Sequence, residues 1–160
     1  MACLPASFLR TIVCGFVLGA GVIPSASLAA CTSSVGNISL GQVASASGLK
    51  AKLGEVVNGS FVRGNSAPVR VALTGCSETL PTSMRAEKVP VYINDKTYYL
   101  VPWLASVNGV NLAEPRNLSV GSLYQFSGNP VLEIFLVPEN FPSSLPPKSY
   151  AGVLIFTFSD

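Results

Sequence analysis

The chain has 160 residues, 49% of them hydrophobic and only 11% charged, with ten Lys and Arg against eight Asp and Glu and no histidine. The charged share is less than half the usual value of about 25%. The nearly balanced charge, with no basic stripe, argues against a nucleic-acid partner. The missing histidine removes Ser-His-Asp and Cys-His catalysis.

Residues 1–30 read as a secretory signal peptide. Arg10 supplies the positive start, Thr11 to Ile23 the apolar stretch, and Pro24-Ser25-Ala26-Ser27-Leu28-Ala29-Ala30 a small-residue processing region. Cleavage near Ala30 removes Cys3 and Cys14 and leaves one domain over residues 31–160. The two remaining cysteines, Cys31 and Cys76, form an even pair, which in an exported domain implies a disulfide. A competing reading takes Leu28-Ala29-Ala30-Cys31 as a lipobox with Cys31 acylated and Cys76 left as a thiol.

Along the remaining chain the apolar period is two. Val35, Ile38 and Leu40 make a short first strand bracketed by Gly36 and Gly41, which suggest a bulge. Leu49 to Val62 alternates around the turn signal Asn58-Gly59. Pro68 to Cys76 alternates cleanly, with Val69, Val71 and Leu73 facing a core. Val89–Ile93 and Thr97–Val101 flank Asn94-Asp95-Lys96 as a hairpin, and Pro90 puts its strand at an edge. Trp103 is expected as a lid on the core, Ala105 to Arg116 as a loop, and Leu118 to Phe126 as a weak strand. Val131–Val137 is a further strand. After the break Pro142-Ser143-Ser144-Leu145-Pro146-Pro147 comes the most strand-like stretch of all, Ser149 to Phe158. Leu154, Phe156 and Phe158 fall on one of its faces and Val153, Ile155 and Thr157 on the other, so it is expected to be buried on both sides or sealed between a core and a neighbouring strand. Short strands, frequent turns and no helix of about ten residues describe an all-β sandwich.

No catalytic or metal-binding constellation is apparent, so neither an enzyme nor a cofactor is expected. Glu78, Glu87 and Asp95 lack calcium-loop spacing, and Glu133 and Glu139 read as solvated charges rather than paired hydrolytic carboxylates. Tyr92, Tyr98, Tyr99 and Tyr124 read as cross-strand packing, with a binding surface as the alternative.

Several short motifs, in this order, resemble a known family. Ala30-Cys31-Thr32 opens the domain, Ile38-Ser39-Leu40-Gly41 follows, Leu73-Thr74-Gly75-Cys76 ends a strand, and Lys148-Ser149-Tyr150-Ala151-Gly152 leads into the last one. Together they resemble the spore coat protein U type domain and the related archaic and alternative chaperone–usher pilins. The resemblance implies an immunoglobulin-like β-sandwich lacking one strand. A periplasmic chaperone, and then a neighbouring pilin subunit, supplies that strand during assembly through an outer-membrane usher. It further implies a structural or adhesive subunit of a bacterial surface fibre, exported through the periplasm, with a host or surface receptor as a further partner. The donor-strand groove would run beside the terminal strand, with Tyr150, Gly152, Leu154, Phe156 and Phe158 as its residues. Two departures stand out: cleavage near Ala30 leaves almost nothing before Cys31 to serve as a donor segment, and earlier cleavage, for example after Ala20, leaves only Gly21 to Ala30, a poor donor containing Pro24; and the chain ends Phe158-Ser159-Asp160 without the penultimate tyrosine of better-known pilins. The first suggests a tip or minor subunit. The alternative is a self-complete secreted or lipid-anchored β-sandwich that binds a carbohydrate or protein.

Overall fold

The computed structural model describes residues 31–34, 37–121 and 123–159. The expected signal peptide and Val35 of the expected first strand lie outside the described residues. Within them the chain is all-β, with antiparallel sheets and one short helix.

The largest sheet has six strands. β1 (Thr32–Ser33), β5 (Val69–Thr74), β11 (Val131–Glu139), β8 (Lys96–Val107) and β7 (Val89–Ile93) follow one another across it, and β9 (Val110–Asn117) also pairs with β8. β8 is long enough to serve two partners: its first half pairs with β7 and its second with β9. A three-stranded sheet runs β10 (Tyr124–Phe126), β6 (Thr82–Ala86), β13 (Phe156–Ser159). Two ribbons complete the fold: β2 (Asn37–Ser45) with β12 (Ser144–Val153), and the hairpin β3 (Gly54–Val57) with β4 (Ser60–Arg63).

Alternation along the strands explains the core. Val71 and Leu73 of β5, Val89, Val91 and Ile93 of β7, Leu100 and Leu104 of β8, and Leu132, Ile134 and Leu136 of β11 are buried in one cluster. Ile38, Leu40 and Val43 of β2, Met84 and Ala86 of β6, and Leu145 and Tyr150 of β12 join the same cluster from the other sheets. The residues between them on β8 and β11, Val101, Phe135 and Val137, are also buried but stand outside that cluster, on the opposite face of the large sheet. The β3–β4 hairpin covers part of this second face: Phe61 stacks on Trp103 at 5.9 Å between ring centroids and tilts against Phe135 at 5.3 Å.

The turns follow their residues. Asn58-Gly59, Asn94-Asp95 and Asn108-Gly109 all have positive φ at both positions, the backbone of a tight hairpin turn. Gly41 has φ +67°, and the β2–β12 ladder shifts register there, so the bulge expected at this glycine is present. Lys52 Nζ donates to the Leu40 carbonyl at 2.6 Å beside it.

Four expectations are corrected. Leu49 does not open a strand. It is the buried residue of helix α1 (Ala46–Leu53), which starts where the Ser45 hydroxyl accepts from the Gly48 N–H and stops at Gly54, φ +123°. Ala105 to Arg116 is not a loop but the end of β8, a two-residue turn and the exposed strand β9. The proline break does not precede the last strand, because β12 already runs through Pro146 and Pro147, its ladder interrupted between Ser144 and Lys148. Of Leu118 to Phe126 only the last three residues are strand, whereas β6, read as nothing in particular, is the centre of a sheet.

Candidate functional site

The terminal segment bends at Leu154-Ile155 into two strands with different partners. β12 pairs with β2 from Ser144↔Ser45 to Val153↔Asn37, and β13 pairs with β6 from Phe156↔Ala86 to Ser159↔Ser83. Tyr150 is buried, and its hydroxyl donates to the Pro146 carbonyl at 2.7 Å, closing the strand's own proline bulge. Burial raises its phenol pKa above the usual value. Gly152 faces Val89 so closely that a Cβ there would collide with the valine Cγ1. Leu154 is buried in the core.

Phe156 and Phe158 are only half-buried, although they pack against the core and lie 6.1 Å apart in a near-parallel stack. β10 brings a second such pair, Tyr124 and Phe126, at 6.4 Å. The registers Tyr124↔Met84 and Phe158↔Met84 place the buried Met84 between the two pairs. Four aromatic side chains of this sheet's inward side are therefore incompletely covered. β13 ends the sheet, so its outer edge has no strand partner among the described residues. Thr82, fully buried on β6, has a hydroxyl with no hydrogen-bond partner among the described residues.

The five residues expected along the terminal strand thus separate. Tyr150 and Gly152 lie where β2 already occupies the neighbouring position, Leu154 sits in the bend, and Phe156 and Phe158 border the open edge. Burial on both sides is corrected, since Val153 and Ile155 are 46% and 48% exposed and only the opposite face is covered. Cys31 and Cys76 form a disulfide. The tyrosines also divide: Tyr98 packs on Phe141 at 5.4 Å and Tyr124 stacks on Phe126, whereas Tyr92 and Tyr99 are exposed and opposite Thr97 and Pro90 rather than each other.

The second face of the large sheet carries a feature that sequence reasoning missed. Trp103 is no core lid. It points away from the Leu100 and Leu104 side, is half-exposed, and separates two hollows of about 640 and 510 Å³. Phe61 belongs only to the smaller one. The larger has an apolar floor of Val101 and Val137 and a rim with Asn117, Glu55, Lys50 and Glu139. The available signal was the alternation Tyr99, Val101, Trp103 on the face opposite Leu100 and Leu104, which marks β8 as apolar on both sides.

The chain matches no described protein family, no curated protein and no solved structure.

Proposed function

We propose that this protein is a structural or adhesive subunit of a bacterial surface fibre, an immunoglobulin-like sandwich completed by a strand from outside the chain. The observation that carries the reading is the edge of β13, where unpaired backbone and the half-buried rings of Phe156 and Phe158 occur together. An added strand would gain main-chain hydrogen bonds from Phe156–Ser159 and cover the exposed part of the rings, the two contributions that drive strand addition. Unfilled, such an edge invites aggregation. In this reading a periplasmic chaperone fills it first, and a neighbouring subunit replaces the chaperone at an outer-membrane usher.

One observation favours the alternative of a self-complete binding domain. β2 runs along β12 for most of the terminal segment, so a donor strand would find only the β13 portion free. The test is residues 31–160 prepared from the periplasm, alone and with an alternating apolar peptide joined after Asp160 by a flexible turn. The fibre reading expects the unfused protein to aggregate, and the fused one to be monomeric with slowed amide exchange at Phe156 and Phe158, whose N–H groups point away from β6. A cooperative soluble monomer whose stability and exchange do not change on fusion would overturn it.

A further inference from the structure

We propose that the larger hollow on the second face of the six-stranded sheet is a binding site for a short neutral saccharide. It lies away from β13 and depends on nothing in the strand-addition reading.

Three observations lead there. The first is shape. A hollow of about 640 Å³ is within the range of small-ligand sites, and α1, β3 and the segment after β11 wall it over a floor of sheet. The second is the aromatic lining. Phe61 stacks on the Trp103 ring but does not line this hollow, whereas Trp103 does, so the indole is presented here without its stacking partner. Phe141 adds a second ring, and Tyr99 continues the row of Trp103 on β8 as an exposed residue. The apolar C–H faces of a pyranose match such rings.

The third observation is how the polar groups are already committed. Glu55 pairs with Lys50 at 3.6 Å and Glu139 with Lys88 at 2.6 Å, so each carboxylate in the rim has its own cation and no net charge is left for an ionic ligand. Each pair engages Oε2 and leaves Oε1 as an acceptor. Asn117 is committed on one side only. Its Oδ1 accepts from the Ser119 N–H at 2.9 Å and the Ser119 hydroxyl at 2.8 Å, which fixes the amide orientation, while its Nδ2 has no partner among the described residues. A fixed donor and two neutralised acceptors beside aromatic rings suit vicinal hydroxyls, which donate and accept at once.

The chain has a single tryptophan, Trp103, so its fluorescence reports on the two hollows it borders, and a variant at Asn117, which lines only the larger of them, assigns the response. Residues 31–160, with the fused strand if the unfused protein aggregates, should be titrated with maltose, cellobiose, lactose, N,N′-diacetylchitobiose and sialyllactose. We expect a saturable change with at least one of the four neutral disaccharides, and no gain for sialyllactose over lactose. Asn117→Asp retains the oxygen that Ser119 uses but removes the donor. It should keep the thermal midpoint and weaken binding about tenfold or more, the cost of one lost hydrogen bond to a buried partner. Trp103→Phe, followed by ligand-induced thermal shift, should weaken binding as well. No saturable response to any neutral sugar below about 10 mM would overturn the proposal. So would undiminished binding by Asn117→Asp, or saturation only by an amphipathic dye such as ANS.

Discussion

The close approach of β12 to β7 can be tested at one atom. Gly152 lies opposite Ile38 in the β2 ladder, and its α-carbon presses on Val89, which is fully buried. A Cβ at 152 would meet Val89 Cγ1, while its other neighbours, the Pro90 carbonyl at 3.7 Å and Val89 Cβ at 3.8 Å, are at ordinary contact distance. Gly152→Ala therefore overpacks against one methyl group, costing about 1–3 kcal/mol. Against this, alanine recovers about 0.5–1 kcal/mol of backbone entropy that glycine loses in a strand. The net effect is destabilisation by about 1–2 kcal/mol, or roughly 4 °C per kcal/mol in thermal midpoint. Val89→Ala on its own removes two buried methyl groups and leaves a cavity, for about 2 kcal/mol. In that background the obstructing Cγ1 is gone, and Gly152→Ala should change sign, becoming neutral or stabilising by up to about 0.5 kcal/mol. Urea unfolding of the four proteins, followed by far-UV dichroism, closes the double-mutant cycle. If the two effects simply add within about 0.5 kcal/mol, the terminal strand is not pressed on Val89 and the account of Gly152 fails.

Other outcomes follow from single groups. Thr82→Val replaces a buried hydroxyl, without a partner among the described residues, by a methyl group of the same shape, and should raise unfolding free energy by about 1–2 kcal/mol; a loss would mean the hydroxyl has a partner. Replacing both Cys31 and Cys76 by serine opens a loop with sequence separation 45, which should cost about 4 kcal/mol in chemical denaturation, with retention of full stability as the refuting result. The phenol of Tyr150 is held neutral by burial, so the folded state keeps its proton to higher pH than the unfolded chain does. Its contribution is complete below the ordinary tyrosine pKa of about 10 and is lost as pH rises through the raised folded value. Tyr150→Phe should remove that alkaline loss and cost about 1 kcal/mol at neutral pH through the missing bond to Pro146, both measurable in denaturant titrations across pH.

Where local chemistry and tertiary placement agree, the elements were legible beforehand. Val69, Val71 and Leu73 alternate because one face of β5 meets the core, and Pro90 marks β7 as the strand that ends the large sheet. The misreadings have physical reasons. α1 is only eight residues long with a single buried side chain, too few turns to impose a period of 3.6 on the sequence. β9 is exposed along most of its length and carries Asn111, Glu114, Pro115 and Arg116, so pairing with β8 rather than its own composition makes it a strand. The two apolar faces of the last strand suggested double burial. Instead its course changes at Leu154-Ile155, and Val153 and Ile155 are left in solvent. Trp103 was visible as a residue, but Phe61 reaches it only because the β3–β4 hairpin packs on the second face of the large sheet, a placement no local pattern specifies, and Asn117 because the exposed β9 pairs along β8.

The disulfide has a mechanical consequence. A pull on the chain ahead of Cys31 passes covalently through the sulfur bridge to Cys76, so the 44 residues between them cannot be drawn out while the bridge holds. That bypassed segment contains β1, β2, α1, the β3–β4 hairpin and β5. Stretched by its two ends, the oxidised protein would yield first in β6 to β13, and roughly 160 Å of contour would never be paid out. The walls that α1 and β3 contribute to the proposed saccharide hollow would then lie in a segment that cannot be extended while the bridge holds.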